Sequence, residues 1–351
     1  WSEPDDYSND ANTTFDIALL KEGSGNFDGG KRDIVLNGIK YRLYPSKNAK
    51  VLKNDYSGYI VIPETVTINN ITYKVKSLER ECFSGCSSLT SINLPSSITS
   101  LGDYCFSGCS NLTSINLPSS ITSLGFWCFE SCSSLASIEL PSSITSLEPG
   151  CFNNCSSLTS INLPSSITSL GYSCFRGCSS LASIELPSSI TSLGEFCFQN
   201  CSSLTSINLP SSITSLEYKC FYNCSSLASI NLPSSITSLG ENCFEKCSHL
   251  TSMLCLAVEP PSCILSNYTD THNTSLVNNT MRLYVPKESK EKYKQNDAWN
   301  SAKGIYPLYP TSSVSLVKEV SVIKAKPTKL EYTIMPKNAG TKELEWSSEN
   351  P

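Results

Sequence analysis

The chain has 351 residues, 39% of them hydrophobic and only 16% charged, with a formal net charge of -5. This is enough apolar material for a large core, and the charge argues against a nucleic-acid or anionic-membrane footprint, which needs a concentrated basic surface. No apolar run approaches the roughly 20 residues that span a bilayer, so no transmembrane segment is expected here, and any lipid anchor or export signal is expected outside these residues.

In chain order, residues 1–33 are polar, Gly-containing and without sustained periodicity, and read as a linker. From 34 to 81 the text changes to "IVLNGIKYRLYPSKNAKVLKNDYSGYIVIPETVTINNITYKVKSLERE". Here β-branched and aromatic residues alternate with polar ones around turns at Asn37-Gly38, Ser57-Gly58 and Asn69-Asn70, which predicts a strand-rich N-terminal cap and first rung.

Residues 82–254 repeat one sentence. "CFSGCSSLTSINLPSSITSLGDY" is followed at once by "CFSGCSNLTSINLPSSITSLGFW", and the copies start at Cys82, Cys105, Cys128, Cys151, Cys174, Cys197, Cys220 and Cys243, each 23 residues after the last. A fixed short period predicts a repeat solenoid in which each copy is too small to fold alone and buries its apolar face against its neighbours. In the first copy the apolar positions are Cys82, Phe83, Cys86, Leu89, Ile92, Leu94, Ile98 and Leu101. Pro95 cannot donate to a ladder and is expected to end the strand. "CFSGC" reads as one tight helical or 3₁₀ turn on the opposite side.

Residues 255–310 lose the repeat and carry a strand ("MRLYVP"), an amphipathic helix candidate ("KESKEKYKQNDAW") and a final strand ("GIYPLYP"), a reasonable C-terminal cap. Residues 311–351 are Val- and Lys-rich and end in "YTIMPKNAGTKELEWSSENP".

The unit L-x-x-I-x-L-P-x-x-I-x-x-L-G-x-x-C-F-x-x-C resembles the repeat of BspA-like leucine-rich-repeat proteins, and the resemblance spans roughly residues 34–309. It implies parallel β-strands on a concave side, with short turns on a convex side. Cys82 and its seven equivalents stand where that family more usually has Ala. The tail resembles the first half of a bacterial Ig-like domain of the second group, a partial β-sandwich here. Together these imply an exported protein attached to the bacterial outer surface, an adhesin that binds host, matrix or cell-surface proteins. The alternative is a structural spacer or self-association array.

The sixteen repeat cysteines are Cys82, Cys86, Cys105, Cys109, Cys128, Cys132, Cys151, Cys155, Cys174, Cys178, Cys197, Cys201, Cys220, Cys224, Cys243 and Cys247. Thiols at i and i+4 on a helical turn lie about 5–6 Å apart at Cβ, whereas a disulfide wants about 3.5–4.5 Å. Buried free thiols acting as small hydrophobes are the leading reading, with some disulfides or a metal as the alternatives. No enzyme and no cofactor are expected. Neither His249 nor His272 sits in a nucleophile or metal motif, no phosphate-cradling Gly loop exists, and Ser is abundant only because the repeat is.

Two faces are candidates for a protein ligand. The concave strand presents Asn93, Asn116, Glu139, Asn162, Glu185, Asn208 and Asn231, a repetitive and weakly acidic row. The convex turns are where the copies differ, and they carry Tyr104, Phe126, Trp127, Tyr172, Phe196, Tyr218 and Tyr222, residue types enriched in binding hot spots. Exposed turns also tolerate drift, so variation alone does not decide between a site and an absence of constraint.

Overall fold

The computed structural model describes residues 27–28, 31–264, 277 and 280–308. The linker over 1–26 and the Ig-like tail over 311–351 lie outside the described residues. The chain forms a parallel β-solenoid of about 11 turns with a ~23-residue period.

The N-terminal cap is a six-stranded sheet. Its strands are β1 (Phe27–Asp28), β2 (Lys31–Leu36), β3 (Ile39–Leu43), β4 (Asn48–Val51), β6 (Thr65–Ile68) and β7 (Ile71–Leu78), in the spatial order β1-β2-β3-β4-β7-β6. The strand β5 (Gly58–Val61) belongs instead to the solenoid and pairs in parallel with β8 (Leu89–Asn93). The sheet begins inside the stretch read as linker, because Lys31–Asp33 pair with the partners of a hairpin whose turn lies further on. That turn, Asn37-Gly38, has φ of 50° and 80°, and Asn69-Asn70 has 48° and 63°. Left-handed values at both central residues give the hairpin turns whose twist matches their strands.

Within the repeats, identical residues fall in register between neighbours. Ile92 faces Ile115, Leu101 faces Leu124, and Leu147, Leu170 and Leu193 follow one another. The repeat therefore builds two parallel strand ladders, one on the L-x-x-I-x stretch and one on the Ser-Leu pair after it. Among the bonds that flank these strands within the repeats, the later copy donates to the earlier one, as in Thr113 N–H to Thr90 O at 3.1 Å and Thr122 N–H to Thr99 O at 2.8 Å. The turn side runs the other way: Phe83 N–H donates to Cys105 O at 2.8 Å, and Gly85 N–H to Ser107 O at 2.7 Å. The backbone groups of each turn are thereby paired with an adjacent copy.

Each CFxxC turn makes i→i+3 bonds, such as Cys82 N–H to Glu79 O and Cys86 N–H to Phe83 O, which is the 3₁₀ pattern. It does not run on as a helix, because the residue before each CF and the residue before the second Cys are left-handed in every copy. Between these turns and the strands lies a continuous aromatic spine. Phe83, Phe106, Phe129, Phe152, Phe175, Phe198, Phe221 and Phe244 stack nearly parallel with centroids 5.0–5.7 Å apart.

Both ends are closed by large side chains. Tyr56 packs on Phe83 at 4.8 Å and donates its hydroxyl to Leu52 O, while at the other end Trp299 donates its indole N–H to Pro261 O and Tyr293 donates to Ala257 O. The C-terminal helix Lys290–Lys294 carries Tyr293, and the strands Arg282–Pro286 and Gly304–Leu308 extend the main ladder in parallel. Such end groups keep an open solenoid edge from templating further strands.

Candidate functional site

All sixteen repeat thiols are buried and free. The second Cys of each copy after the first donates its S–H to the carbonyl of the Phe in the preceding copy. Examples are Cys109 to Phe83 O at 3.0 Å, Cys155 to Phe129 O at 3.1 Å and Cys247 to Phe221 O at 3.0 Å. The thiol therefore serves as a small hydrophobe that also satisfies a buried acceptor, which Ala could not do. Burial raises their pKa values, Cys109 and Cys247 to about 12 and fully enclosed members such as Cys151 and Cys220 well above the ordinary thiol range. Thiols held protonated in this way are inert at neutral pH. Among the described residues, no three His, Cys, Asp or Glu side chains gather as metal ligands do.

On the strand face Asn93, Asn116, Glu139, Asn162, Glu185, Asn208 and Asn231 are all exposed. Cross-strand registers place them in one column: Asn93 beside Asn116, Glu139 beside Asn162, and Glu185 beside Asn208 and then Asn231. The same column continues past the repeats, and sequence reasoning missed what it meets there. Asn231 faces Leu254, which faces Tyr284, which faces Tyr306, and the two tyrosine rings stack at 5.4 Å. Arg282, two residues before Tyr284 on the same strand, is exposed. The signal was the outward place of Tyr in "RLYVP" and "GIYPL", between inward-facing aliphatics.

The turn face holds a second arrangement. Trp127 meets Tyr172 edge-on at 6.4 Å, Tyr172 meets Phe196 at 5.3 Å, and Phe196 meets Tyr218 at 5.1 Å. Copy four intervenes between Trp127 and Tyr172 with Gly150, and a Cβ there would lie 2.1 Å from the Trp127 ring. The indole thus lies across a glycine that leaves room for it.

The other candidate rings differ in exposure and in their partners. Tyr218 is only 5% exposed, so it props the row from beneath and offers little surface. Tyr104 sits apart from Trp127 and Tyr172, under the Arg80 guanidinium at 5.7 Å. Tyr222 lies between Lys219 and Lys246, each 5.0 Å from its ring centroid. Phe126 and Tyr172 are 44% and 38% exposed, which makes them the outermost rings of the repeats.

Three of these rings also stand on an unusual backbone conformation. Tyr104, Trp127 and Phe196 occupy the left-handed position before CF, with φ of 54°, 56° and 57°. Bulky residues are disfavoured there by roughly 1–2 kcal/mol. The other five copies fill the same position with Glu81, Gly150, Ser173, Lys219 and Asn242, of which Gly and Asn tolerate it best. Rings in this place are held against the backbone's own preference.

The family model for the BspA-type leucine-rich repeat region matches six copies over residues 64–182 and 169–257, which is more than half of the chain. A leucine-rich repeat protein from Bacteroides ovatus superposes with a TM-score of 0.50 at 22% identity, covering 78% of this chain and 88% of that one. A T. pallidum leucine-rich repeat protein gives 0.43 at 25% identity, covering 60% and 87%. A leucine-rich cell surface protein from Faecalibacterium prausnitzii gives 0.45 at 20% identity, covering 84% and 97%. No curated protein matches the sequence. With its period, its inward-facing residues and its strand register all those of one repeat, this chain belongs to the BspA-type leucine-rich repeat family.

Proposed function

We propose that the chain is the ligand-binding part of a cell-surface adhesin, and that it grips a protein partner through the turn-face rings around Trp127, Tyr172 and Phe196, with Phe126 exposed beside them. The observation that carries this reading is the row of ring contacts from Trp127 through Tyr172 to Phe196, in which Trp127 and Phe196 stand at left-handed positions that bulky residues disfavour. Partly exposed rings on a surface of Ser, Thr and Asn form an apolar patch of the kind that marks contact sites. A second reading places the partner on the strand face, where the stacked Tyr284 and Tyr306, with Leu254 and Arg282, end the exposed Asn/Glu column.

The reading opposed to both is a spacer with no ligand. Removing residues 105–219 deletes five whole copies, keeps the caps and the register, and takes away Trp127, Tyr172 and Phe196. The full chain should bind at least one of immobilised fibronectin, laminin or collagen saturably, and the shortened chain should lose that binding while still melting cooperatively. Equal binding by the two chains would place the site in a cap, and no saturable binding by either would favour the spacer.

A further inference from the structure

The overall charge of -5 hides a separation along the molecule. Residues 82–254 contain three basic and nine acidic residues, whereas residues 31–81 contain ten basic and five acidic ones. The cap sheet sorts its basic residues further. β3 turns Ile39, Tyr41 and Leu43 into the core and leaves Lys40 and Arg42 outside. β4 buries Ala49 and Val51 and leaves Lys50 outside, while β7 buries Tyr73 and Val75 and leaves Lys74 and Lys76 exposed. Five cations spread over 37 residues of sequence thereby share one sheet face.

Arg42 stands directly opposite Lys50, a like-charge cross-strand pair that works against the sheet. Asp33 is the one acidic residue at the outward positions of β2, β3, β4, β6 and β7, and it binds Arg42 through two bonds of 2.7 and 2.9 Å. Glu79, just beyond β7, adds to the field at Arg42. The cations still outnumber these acids.

We propose that this outer face of the N-terminal cap binds an acidic polysaccharide, a sugar chain carrying sulfate or uronate groups. Charge complementarity supplies the attraction, and the uncharged groups beside the cations favour a sugar chain over other polyanions. Thr65 and Asn48 flank Lys74 in register, Ser77 faces Lys50, and Thr67 and Thr72 share a hydrogen bond nearby. These hydroxyls and amides match sugar hydroxyls. Tyr44, just past β3, already carries Lys31 Nζ at 5.6 Å from its ring centroid, and the outward positions within β3, β4, β6 and β7 offer no ring on which a base could stack. A six-stranded sheet also does not enter a DNA groove as a helix or two-stranded ribbon does. Val35 is the one large exposed apolar side chain on this face, too little to anchor in a membrane.

The test uses the full chain with heparin as the sulfated probe and alginate as the uronate probe. Binding to heparin alone or to both supports the proposal, provided the affinity falls steadily with added salt as released counterions require. Lys74→Glu with Lys76→Glu should weaken it at least ten-fold without moving the thermal melt. The same reversal at Lys290 and Lys303, in the other cap, should leave it unchanged. Should the double reversal disturb folding, Lys40→Gln with Lys50→Gln should reproduce the loss more mildly. No binding near 0.15 M salt, equal affinity in the cap variants, or tighter binding to duplex DNA, poly-glutamate or anionic vesicles would overturn it.

Discussion

Raised from pH 7.5 to 9.5 in a reducing buffer, the protein should unfold cooperatively. Burial holds the repeat thiols protonated in the folded state far above the pH at which they ionise in the unfolded chain. A raised folded-state pKa stabilises the fold fully below the unfolded value and is lost as pH rises through that value and beyond. At the unfolded thiol pKa of about 8.5, each such group has forfeited about 0.4 kcal/mol, so sixteen of them forfeit roughly 6 kcal/mol. That is comparable with the whole stability of many domains, about 5–15 kcal/mol.

Circular dichroism against pH, paired with the count of protons released on unfolding, checks this expectation. Replacing Cys174 and Cys178 by Ala should move the midpoint upward and remove about two protons from the count. A native signal that persists unchanged to pH 10 would mean that the thiols are not the enclosed, protonated groups described here. At neutral pH the same enclosure should leave nearly all sixteen closed to thiol reagents until denaturant is added.

Cutting Phe152 to Ala should destabilise the solenoid by about 3–5 kcal/mol, the usual loss for a buried aromatic whose space cannot refill. Phe152 lies between Phe129 and Phe175 at 5.5 and 5.6 Å and is completely buried, so its removal opens the spine on both sides. Phe244 is the last ring and 7% exposed, and the same change there should cost less. Because each copy packs its core chiefly against its immediate neighbours, the interior substitution should also divide the melt into two less cooperative steps. Urea denaturation of both variants measures this, and equal losses at the two sites would contradict a linear stack of nearest-neighbour contacts.

Much of this was legible from the repeat itself. Eight evenly spaced CFxxC segments with L-x-x-I-x-L between them leave one way to bury Phe, Ile, Leu and Cys together, and the parallel register of Ile92 on Ile115 follows from identical residues at identical intervals. Backbone handedness was not legible. Nothing in "FWCF" or "EFCF" marks Trp127 and Phe196 as left-handed, because that conformation is imposed by hydrogen bonds to the next copy, such as Trp127 N–H to Pro149 O. The cationic sheet face was hidden for a related reason. Lys40, Arg42, Lys50, Lys74 and Lys76 look scattered until the strand order β3-β4-β7 brings them side by side. Tyr284 and Tyr306 were passed over because they lie beyond the last copy, where the period no longer points to them.

The measurement that bears most directly on the turn-face site combines stability and binding in one variant. Trp127→Asn with Phe196→Asn installs at both positions the residue that copy eight already uses at φ 58°. The backbone gain of roughly 1–2 kcal/mol at each site offsets the lost ring contacts, so the melting transition should stay within a few degrees of the parent. Binding to the matrix protein that the full chain recognises should fall at least ten-fold. Unchanged affinity in this variant, with a strong loss when Asn116, Glu139 and Asn162 are replaced by Ser, would contradict the turn-face assignment and move the site to the strand face.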